Sequence, residues 1–380
     1  MKLNLICQGL AVKPPKVTAI DVANFSKILA AAGPNTLVTL ANAQSRPLAE
    51  LAPVIQSAGS RHLALEIDAT RASEDQTLKL INSAIGQNTS LSISSINSFT
   101  TQAVTNVVNA GKSKKLSIHI DGSNTSQTQA VHIINSVKNT NIPLTFASIN
   151  ALPSQSIPIV FSTAGSKALS AQINAETSTI AQAINVIKNA TPATTLSLVN
   201  AEALGYSGII QIIQAAQSKS LNIGINAEKI TIENLKSVIQ TTTPNMAVSI
   251  SMAHGITASN LSEVVKLSGD KKLSISMSGK ASTTDQLKKT VSAAKKNTSI
   301  TIDTAHSPAL NVMLDLISSS GDTNLTAIYN GTQLVVTPTD GSYVIRALEV
   351  AKPTTSIAVN SIGVTNFNLQ LILDIVNAAQ

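Results

Sequence analysis

Three alternating segments of the chain each carry, at the same position, a side chain that could take part in catalysis. These side chains are a carboxylate, a hydroxyl and an imidazole, at Glu66, Ser94 and His119. In adjacent parallel strands they would be neighbours about 4.8 Å apart, and a serine beside a histidine suggests a nucleophile and its base. The order is wrong for a catalytic triad, because the carboxylate would flank the serine instead of orienting the far side of the histidine. No Gly-x-Ser-x-Gly turn surrounds Ser94. We therefore predict a polar binding surface here, and no catalytic residue.

A second set of ionisable side chains recurs every 26 residues. It comprises Glu176, Glu202, Glu228, His254, Lys280 and His306. The row runs from acidic to basic along the edge where α/β sheets usually place ligands. A metal ion needs ligands that converge on one point, whereas this row spreads them in a line with Lys280 between the two histidines. We predict no metal and no cofactor. The row is either a rim for a charged partner or a set of solvated residues near helix N-termini.

A repeated strand-and-helix pattern must position these side chains. An Asn-Ala-Glu triplet starts at Asn174, Asn200 and Asn226, 26 residues apart. Before the markers stand alternating runs such as Leu221-Asn-Ile-Gly-Ile, which are typical of strands with one buried face. After them come apolar residues spaced by three and four, as at Ile232, Leu235 and Val238, which predict amphipathic helices. Strands that are joined by single helices must run parallel, so the sequence predicts an α/β protein.

The number of repeats decides the expected architecture. About 13 to 14 copies of the unit of about 26 residues fit in the 380 residues. Eight such units would close a barrel of about 250 residues, and this chain has far more. We therefore predict an open, horseshoe-like solenoid with a parallel sheet, as one domain over residues 1–380. An irregular repeat is expected near 151–168, where Pro153 and Pro158 oppose a regular helix, and an insertion near 331–342.

At this level of detail the chain resembles leucine-rich repeat proteins of the ribonuclease-inhibitor-like, strand-plus-helix kind. The segments that end at Asn174 and Asn226 are similar to that family's Leu-x-Leu-x-x-Asn core. The resemblance implies a curved array whose strands line a concave face that binds protein partners. The abundance of Ile, Asn, Ser and Lys also resembles secreted effectors of intracellular bacteria that carry such repeats.

Composition and charge limit the other classes of function. The net charge is +7, with basic pairs mostly at predicted helix C-terminal ends, where cations complement the helix dipole. Aromatic residues for stacking bases make up only 2% of the chain, so nucleic acid is not a predicted partner. The single Cys7 cannot form an intramolecular disulfide. The first residues lack the apolar segment of a secretory signal, and no apolar run approaches the roughly 20 residues of a membrane span.

Together these features predict a protein-protein interaction or scaffold module with no enzymatic activity. We expect it in the cytoplasm, or secreted into a host cell without a cleavable signal peptide. Two alternatives remain open at this stage: an enzyme that uses the concave face or the strand-end rim, and a basic surface that binds anionic partners. The identity of the partner and the oligomeric state are left open.

Overall fold

The computed structural model describes residues 3–8, 20–305, 307–330, 338–362 and 368–380, without the side chains of 8, 338–342 and 361. Its fourteen strands are β1 Leu3–Gln8, β2 Thr36–Ala41, β3 His62–Asp68, β4 Thr89–Ser94, β5 Lys115–Asp121, β6 Leu144–Ala147, β7 Leu169–Asn174, β8 Thr194–Val199, β9 Ser220–Asn226, β10 Met246–Ser251, β11 Lys272–Ser278, β12 Thr298–Asp303, β13 Asn324–Asn330 and β14 Thr355–Ile362. Its α-helices are α1 Val22–Ala31, α2 Leu48–Gln56, α3 Glu74–Ser83, α4 Thr101–Gly111, α5 Gln127–Val137, α6 Ser156–Ala164, α7 Ile180–Asn189, α8 Gly205–Ala215, α9 Ile232–Thr241, α10 Ala258–Ser268, α11 Thr284–Ala293, α12 Leu310–Ser319, α13 Pro338–Val350 and α14 Leu369–Ala378. The prediction of a strand-helix repeat protein with a parallel sheet is confirmed.

The alternation of side chains explains why these segments are strands that pack on helices. In β3, Leu63, Leu65 and Ile67 are buried, while the residues between them are exposed or half-buried. The helices bury stripes spaced by three and four, such as Thr77 with Leu80 and Ile81 in α3. The core therefore lies between one face of the sheet and the helices, and the other face carries mostly small polar side chains.

Helix starts follow the expected capping chemistry. Thr231, Thr257 and Thr283 each accept a hydrogen bond from the backbone N–H three residues later, as N-cap residues do. A regular helix, α6, occupies the repeat near 151–168, with Pro158 in its first turn, where proline is tolerated. The insertion near 331–342 lies largely outside the described residues. No helix in the described part of the chain is long and apolar enough to cross a membrane.

The prediction of an open solenoid is wrong, because the strand order closes on itself. Leu3 of β1 pairs with Thr36 of β2 on one side and with Ile357 of β14 on the other, so the sheet is a closed barrel of fourteen parallel strands. The inference from repeat number failed because a barrel accommodates more strands by widening. An open array also needs polar capping repeats at its ends. Here the terminal strands are as apolar as the internal ones, with Leu3, Leu5 and Val359 fully buried.

The chain divides into two compact units. The first consists of Met1–Ser94, Asn106–Ser117 and Ile302–Gln380, and it contains the closing pair β1–β14. The second consists of Ser95–Thr105 and Ile118–Thr301, and it contains the continuous ladder from β6 to β11. That residues 1–380 form a single repeat domain stays a prediction.

Two kinds of turn alternate at the strand ends, so the structural period is 52 to 53 residues. Every second strand is followed by a non-glycine residue in the left-handed conformation, with φ between 46° and 55°: Asn42, Ser95, Ser148, Asn200, Met252 and Thr304. Strands β3, β5, β7 and β9 end on an Asp or Asn whose side chain accepts the backbone N–H two residues later: Asp68, Asp121, Asn174 and Asn226. Strand β11 ends on Ser278, whose hydroxyl accepts the Ala281 N–H three residues later. The repeating unit is therefore a pair of strand-helix modules.

Candidate functional site

The register separates two of the three side chains that the sequence placed together on a polar binding surface. Glu66 of β3 pairs with Ser92, and Ser94 pairs with Asp68, so the expected row is shifted by two residues. The Ser94 hydroxyl donates to the carbonyl of Ile67 at 3.3 Å. Ser94 and Glu66 are therefore not brought together.

His119 lies on β5 in the second unit, whereas Glu66 and Ser94 belong to the first. It pairs with Thr145 of β6. Burial lowers the pKa of His119 below its ordinary value, so its imidazole is neutral at neutral pH. A neutral, half-buried imidazole on a strand is as consistent with a structural role as with a base.

The strand-end row is brought to one edge, but its members make different contacts. Glu176 lies 3.8 Å from the ammonium of Lys229, and both side chains are about half exposed. Lys280 is exposed. His306 lies outside the described residues, so its place in the row stays a prediction. Surface pairs of this kind contribute about 0 to 1 kcal/mol each, so they shape the charge of the rim more than its stability.

Five side chains share a structural role that we call the bracket. Each stands two residues after a left-handed turn and accepts the backbone N–H 24 residues later, at the end of the next strand. The bracket side chains are Gln44, Asn97, Asn150, Glu202 and His254, with acceptor distances of 3.1, 2.9, 2.8, 3.0 and 3.4 Å. Each bond ties one turn to the next and satisfies an amide at the sheet edge.

Glu202 and His254, which the sequence placed in a binding rim, are thus used inside the fold. One oxygen of Glu202 accepts from the Asn226 N–H, and its other oxygen, Oε1, is buried without a hydrogen-bond partner. Nδ1 of His254 accepts from the Ser278 N–H, and Nε2 lies 3.5 Å from Glu228 Oε1. This arrangement requires the tautomer with the proton on Nε2, so both ring nitrogens are engaged. Among the described residues, no group of three or more His, Cys, Asp or Glu side chains could hold a metal ion.

An uncharged pocket opens at the carboxyl ends of β8 to β10 and beside the middle of β11 and β12. Its volume is about 270 Å³, and it is lined mainly by hydroxyl, amide and aliphatic groups. Gly224 of β9 pairs with Ser249 and has no side chain that would fill the space between the strands. Ser251 lines the pocket, and its hydroxyl donates to the carbonyl of Ile225 at 3.3 Å.

Met252 follows Ser251 directly and is an outlier among the turns. It is 46% exposed and adopts φ 52°. The equivalent turns of the array use Asn, Ser or Thr, which are polar and short. The left-handed conformation costs about 1 to 2 kcal/mol for most residues and less for Asn. Because Met252 is exposed, apolar and held in this conformation next to the pocket-lining Ser251, it is a candidate contact residue.

The basic residues that suggested an anionic partner follow the same period. One cation per double repeat caps the carboxyl end of a preceding helix by donating to a backbone carbonyl: Arg61 to Ala30, Lys114 to Ala84, Lys167 to Thr140, Lys219 to Ala190 and Lys271 to Ile239. Burial lowers the pKa of Lys167 and of Lys271. Five of the 27 basic residues thus serve the fold, since cations stabilise helix C-termini.

Sequence reasoning missed the bracket because it assumed equal modules of about 26 residues. A polar or ionisable side chain recurs at 44, 97, 150, 202 and 254, and this spacing of 52 to 53 residues is visible in the sequence. Its chemical variety, from amide to carboxylate to imidazole, hid the common property, which is a side-chain acceptor.

Comparisons with known proteins establish no family. No family model matches the chain, and no curated protein matches it in sequence. The chain is similar in structure to a crystal structure of the Rad7 and Elc1 complex in yeast, with 12% identity over 89% of this chain and 88% of that chain and a TM-score of 0.43. It is also similar to the lysine-bound DHDPS from Cyanidioschyzon merolae, with 10% identity over 99% and 96% of the two chains and a TM-score of 0.27. A D-psicose 3-epimerase in the presence of D-fructose matches with 11% identity over 73% and 90% and a TM-score of 0.25. All three TM-scores lie below 0.5, so none of these likenesses assigns a fold family or a function.

Proposed function

We propose that this chain is a non-enzymatic, protein-binding repeat module. It contacts its partner through the carboxyl ends of β8 to β10 and the middle of β11 and β12, at the pocket that begins beside Met252. The observation that carries the proposal is Met252 itself, which is exposed, apolar and held in a conformation that favours other residues. Methionine is enriched at protein interfaces, where it supplies an adaptable apolar contact.

The pocket indicates which part of a partner would enter. None of its lining residues is charged, and Ser249, Ser276 and Thr301 present hydroxyl groups beside the amides of Asn200 and Asn226. Such groups match the alternating donors and acceptors of an extended peptide backbone. We therefore propose an extended, uncharged peptide segment as the contacting part of the partner.

The chemistry at the rim favours binding over catalysis. A general base needs a nitrogen or carboxylate that can reach a substrate proton. Both nitrogens of His254 face protein groups, and Glu202 accepts a backbone N–H. The resemblance to leucine-rich repeats supports a protein as the partner. The effector-like composition supports a protein of a host cell.

Selection of displayed peptides tests the proposal without knowledge of the natural partner. A random peptide library would be panned against the full chain, and the enriched peptides would be titrated against Met252→Asn and Ile85→Asn. Loss of a buried interface methionine costs about 1 to 2 kcal/mol, so we expect Met252→Asn to weaken binding by about 5- to 30-fold.

Ile85→Asn is the matched control, because Ile85 is 62% exposed and lies in the first unit. It should bind like the wild type. Asparagine occupies the equivalent left-handed position at Asn42 and Asn200, so Met252→Asn should fold normally. Enriched peptides that bind Met252→Asn as tightly as the wild type would refute the proposed surface.

A further inference from the structure

We propose a second binding site, at the amino-terminal ends of β6 to β8, for a small molecule that carries a phosphate group. A cavity of about 440 Å³ opens there. Its lining includes two lysines, Lys138 and Lys167, and the hydroxyl groups of Ser166, Ser170 and Thr195, and it includes no Asp or Glu. This site lies at the opposite ends of the strands from the Met252 pocket and does not depend on the function proposed for that pocket.

The cavity exists because β6 begins two residues late. The comparable strands β2 and β8 have six residues, whereas β6 has only four and starts at Leu144. Pro143 precedes it and lines the cavity, and proline has no N–H to donate to a sheet ladder. Leu144 is nevertheless in register with Leu169, so the ladder itself continues. Ile142 and Pro143 stand where the comparable strands have their first two residues, and the cavity opens beside Pro143.

The two lysines supply positive charge from different elements. Lys167 donates to the Thr140 carbonyl at 2.6 Å, as the other cap cations do in their own repeats. Lys138 has no counterpart of this kind: the equivalent helix C-caps are Ala32, Ala84, Ala190 and Thr242, all of them buried. Lys138 is exposed, and among the described residues it has no hydrogen-bond or ion-pair partner.

The Lys138 ammonium lies beside the Gly165 turn, and Lys138 lines the cavity. A Cβ added to Gly165 would lie 3.8 Å from Lys138 Nζ, so the ammonium lies over the turn that leads to Ser166 and Lys167. Burial lowers the pKa of Lys167, which means that water solvates this ammonium incompletely. An anion in the cavity would interact favourably with both cations at once.

The chemistry and the size of the cavity select the ligand class. A phosphomonoester carries a charge of about −1.5 to −2 near pH 7 and three acceptor oxygens. Two ammonium groups balance that charge, and the serine and threonine hydroxyls donate to the oxygens. A volume of about 440 Å³ falls within the roughly 300 to 1,000 Å³ of small-molecule sites, so it also has room for the organic part of a ligand.

Isothermal titration of the full chain with inorganic phosphate and with glucose 6-phosphate tests the site. We expect saturable binding. Tighter binding of glucose 6-phosphate would identify a phosphorylated metabolite as the ligand, and equal affinities would identify free phosphate. Lys138→Gln should weaken binding about tenfold or more, because one charge-assisted contact is lost, and should leave the thermal midpoint unchanged.

The cap role of Lys167 is separated from ligand binding by a matched variant. Lys219 makes the same bond to a helix carbonyl in the next double repeat, away from the cavity. Lys167→Met and Lys219→Met should lower the thermal midpoint alike, but only Lys167→Met should weaken phosphate binding. The site is refuted if neither probe gives saturable heat, if Lys138→Gln binds like the wild type, or if Lys219→Met loses as much affinity as Lys167→Met.

Discussion

Removal of one bracket side chain should destabilise the chain by far more than its size suggests. Asn150 is 3% exposed, its Oδ1 accepts the Asn174 N–H at 2.8 Å, and its Nδ2 donates to the Thr177 hydroxyl at 3.3 Å. In Asn150→Ala the amide of the half-buried Asn174 loses this acceptor. An unsatisfied buried donor costs about 1 to 3 kcal/mol, so we expect a loss of about 2 to 3 kcal/mol once the lost packing is included.

Two measurements would check this. Urea unfolding followed by circular dichroism gives the change in free energy of unfolding. Hydrogen exchange read by mass spectrometry should show faster exchange at the Asn174 amide. Asn139→Ala is the matched control, because Asn139 is exposed and should change stability by no more than about 0.5 kcal/mol.

A rescue variant makes the test specific to the acceptor. Asn150→Gln places at this position the residue that makes the same bond at Gln44. It should recover at least half of the lost stability and the protection of the Asn174 amide. If Asn150→Ala unfolds at the same urea concentration as Asn139→Ala, or exchanges the Asn174 amide at the wild-type rate, the bracket does not stabilise the turn as we argue.

Three further predictions follow from single positions. Burial raises the pKa of Cys7 to about 12, so its thiol should not react with Ellman's reagent at pH 8 until the chain is unfolded. As the pH rises above 9, the Cys7 thiol loses its proton in the unfolded chain but keeps it in the folded chain. Each pH unit between 9 and 12 should therefore lower the free energy of unfolding by up to about 1.4 kcal/mol. Urea titrations at several pH values should show this slope in the wild type and not in Cys7→Ala. Gly122→Ala should lower the free energy of unfolding by about 2 kcal/mol or more, because a Cβ there would lie 2.4 Å from the Ser148 carbonyl oxygen. Gly224→Ala is the control: its Cβ meets only ordinary contacts, so it should be neutral or slightly stabilising. Met252→Asn should raise the free energy of unfolding by up to about 1 kcal/mol, and a decrease would contradict the conformational strain that we assign to Met252.

Local order was predictable from the sequence because its causes are local. Alternation in segments such as Leu221 to Ile225 and the threonine caps at 231, 257 and 283 depend on neighbours within a few residues, and both are confirmed. The Asn and Asp markers were expected to satisfy turn amides, and Asp68, Asp121, Asn174 and Asn226 do so. At Asn42 and Asn200 the backbone itself takes the left-handed conformation, and the acceptor is the side chain two residues further on.

Long-range pairing was not predictable, since it depends on small angles that add up over many repeats. The same strand-helix modules can form an open sheet or a closed one. The pairing of Leu3 with Ile357 shows that this sheet is closed. The Lys138 cavity was missed for a related reason. Pro143 was visible in the sequence, but the sequence alone does not show that it shortens a strand. The shortening becomes evident when the four residues of β6 are compared with the six of β8.

Closure also sets an order of events during synthesis. Strand β1 gains its second neighbour only after residues 355–362 have been made, and the Gln380 side chain then donates to the Ala31 carbonyl across 349 positions of sequence. Until that moment the nascent chain presents two unpaired sheet edges, which are templates for pairing with other chains. The contacts between β1 and β14 join residues that lie far apart in the sequence, so they form slowly. A product that ends before β14 should therefore be prone to aggregation, because β1 then lacks its second neighbour.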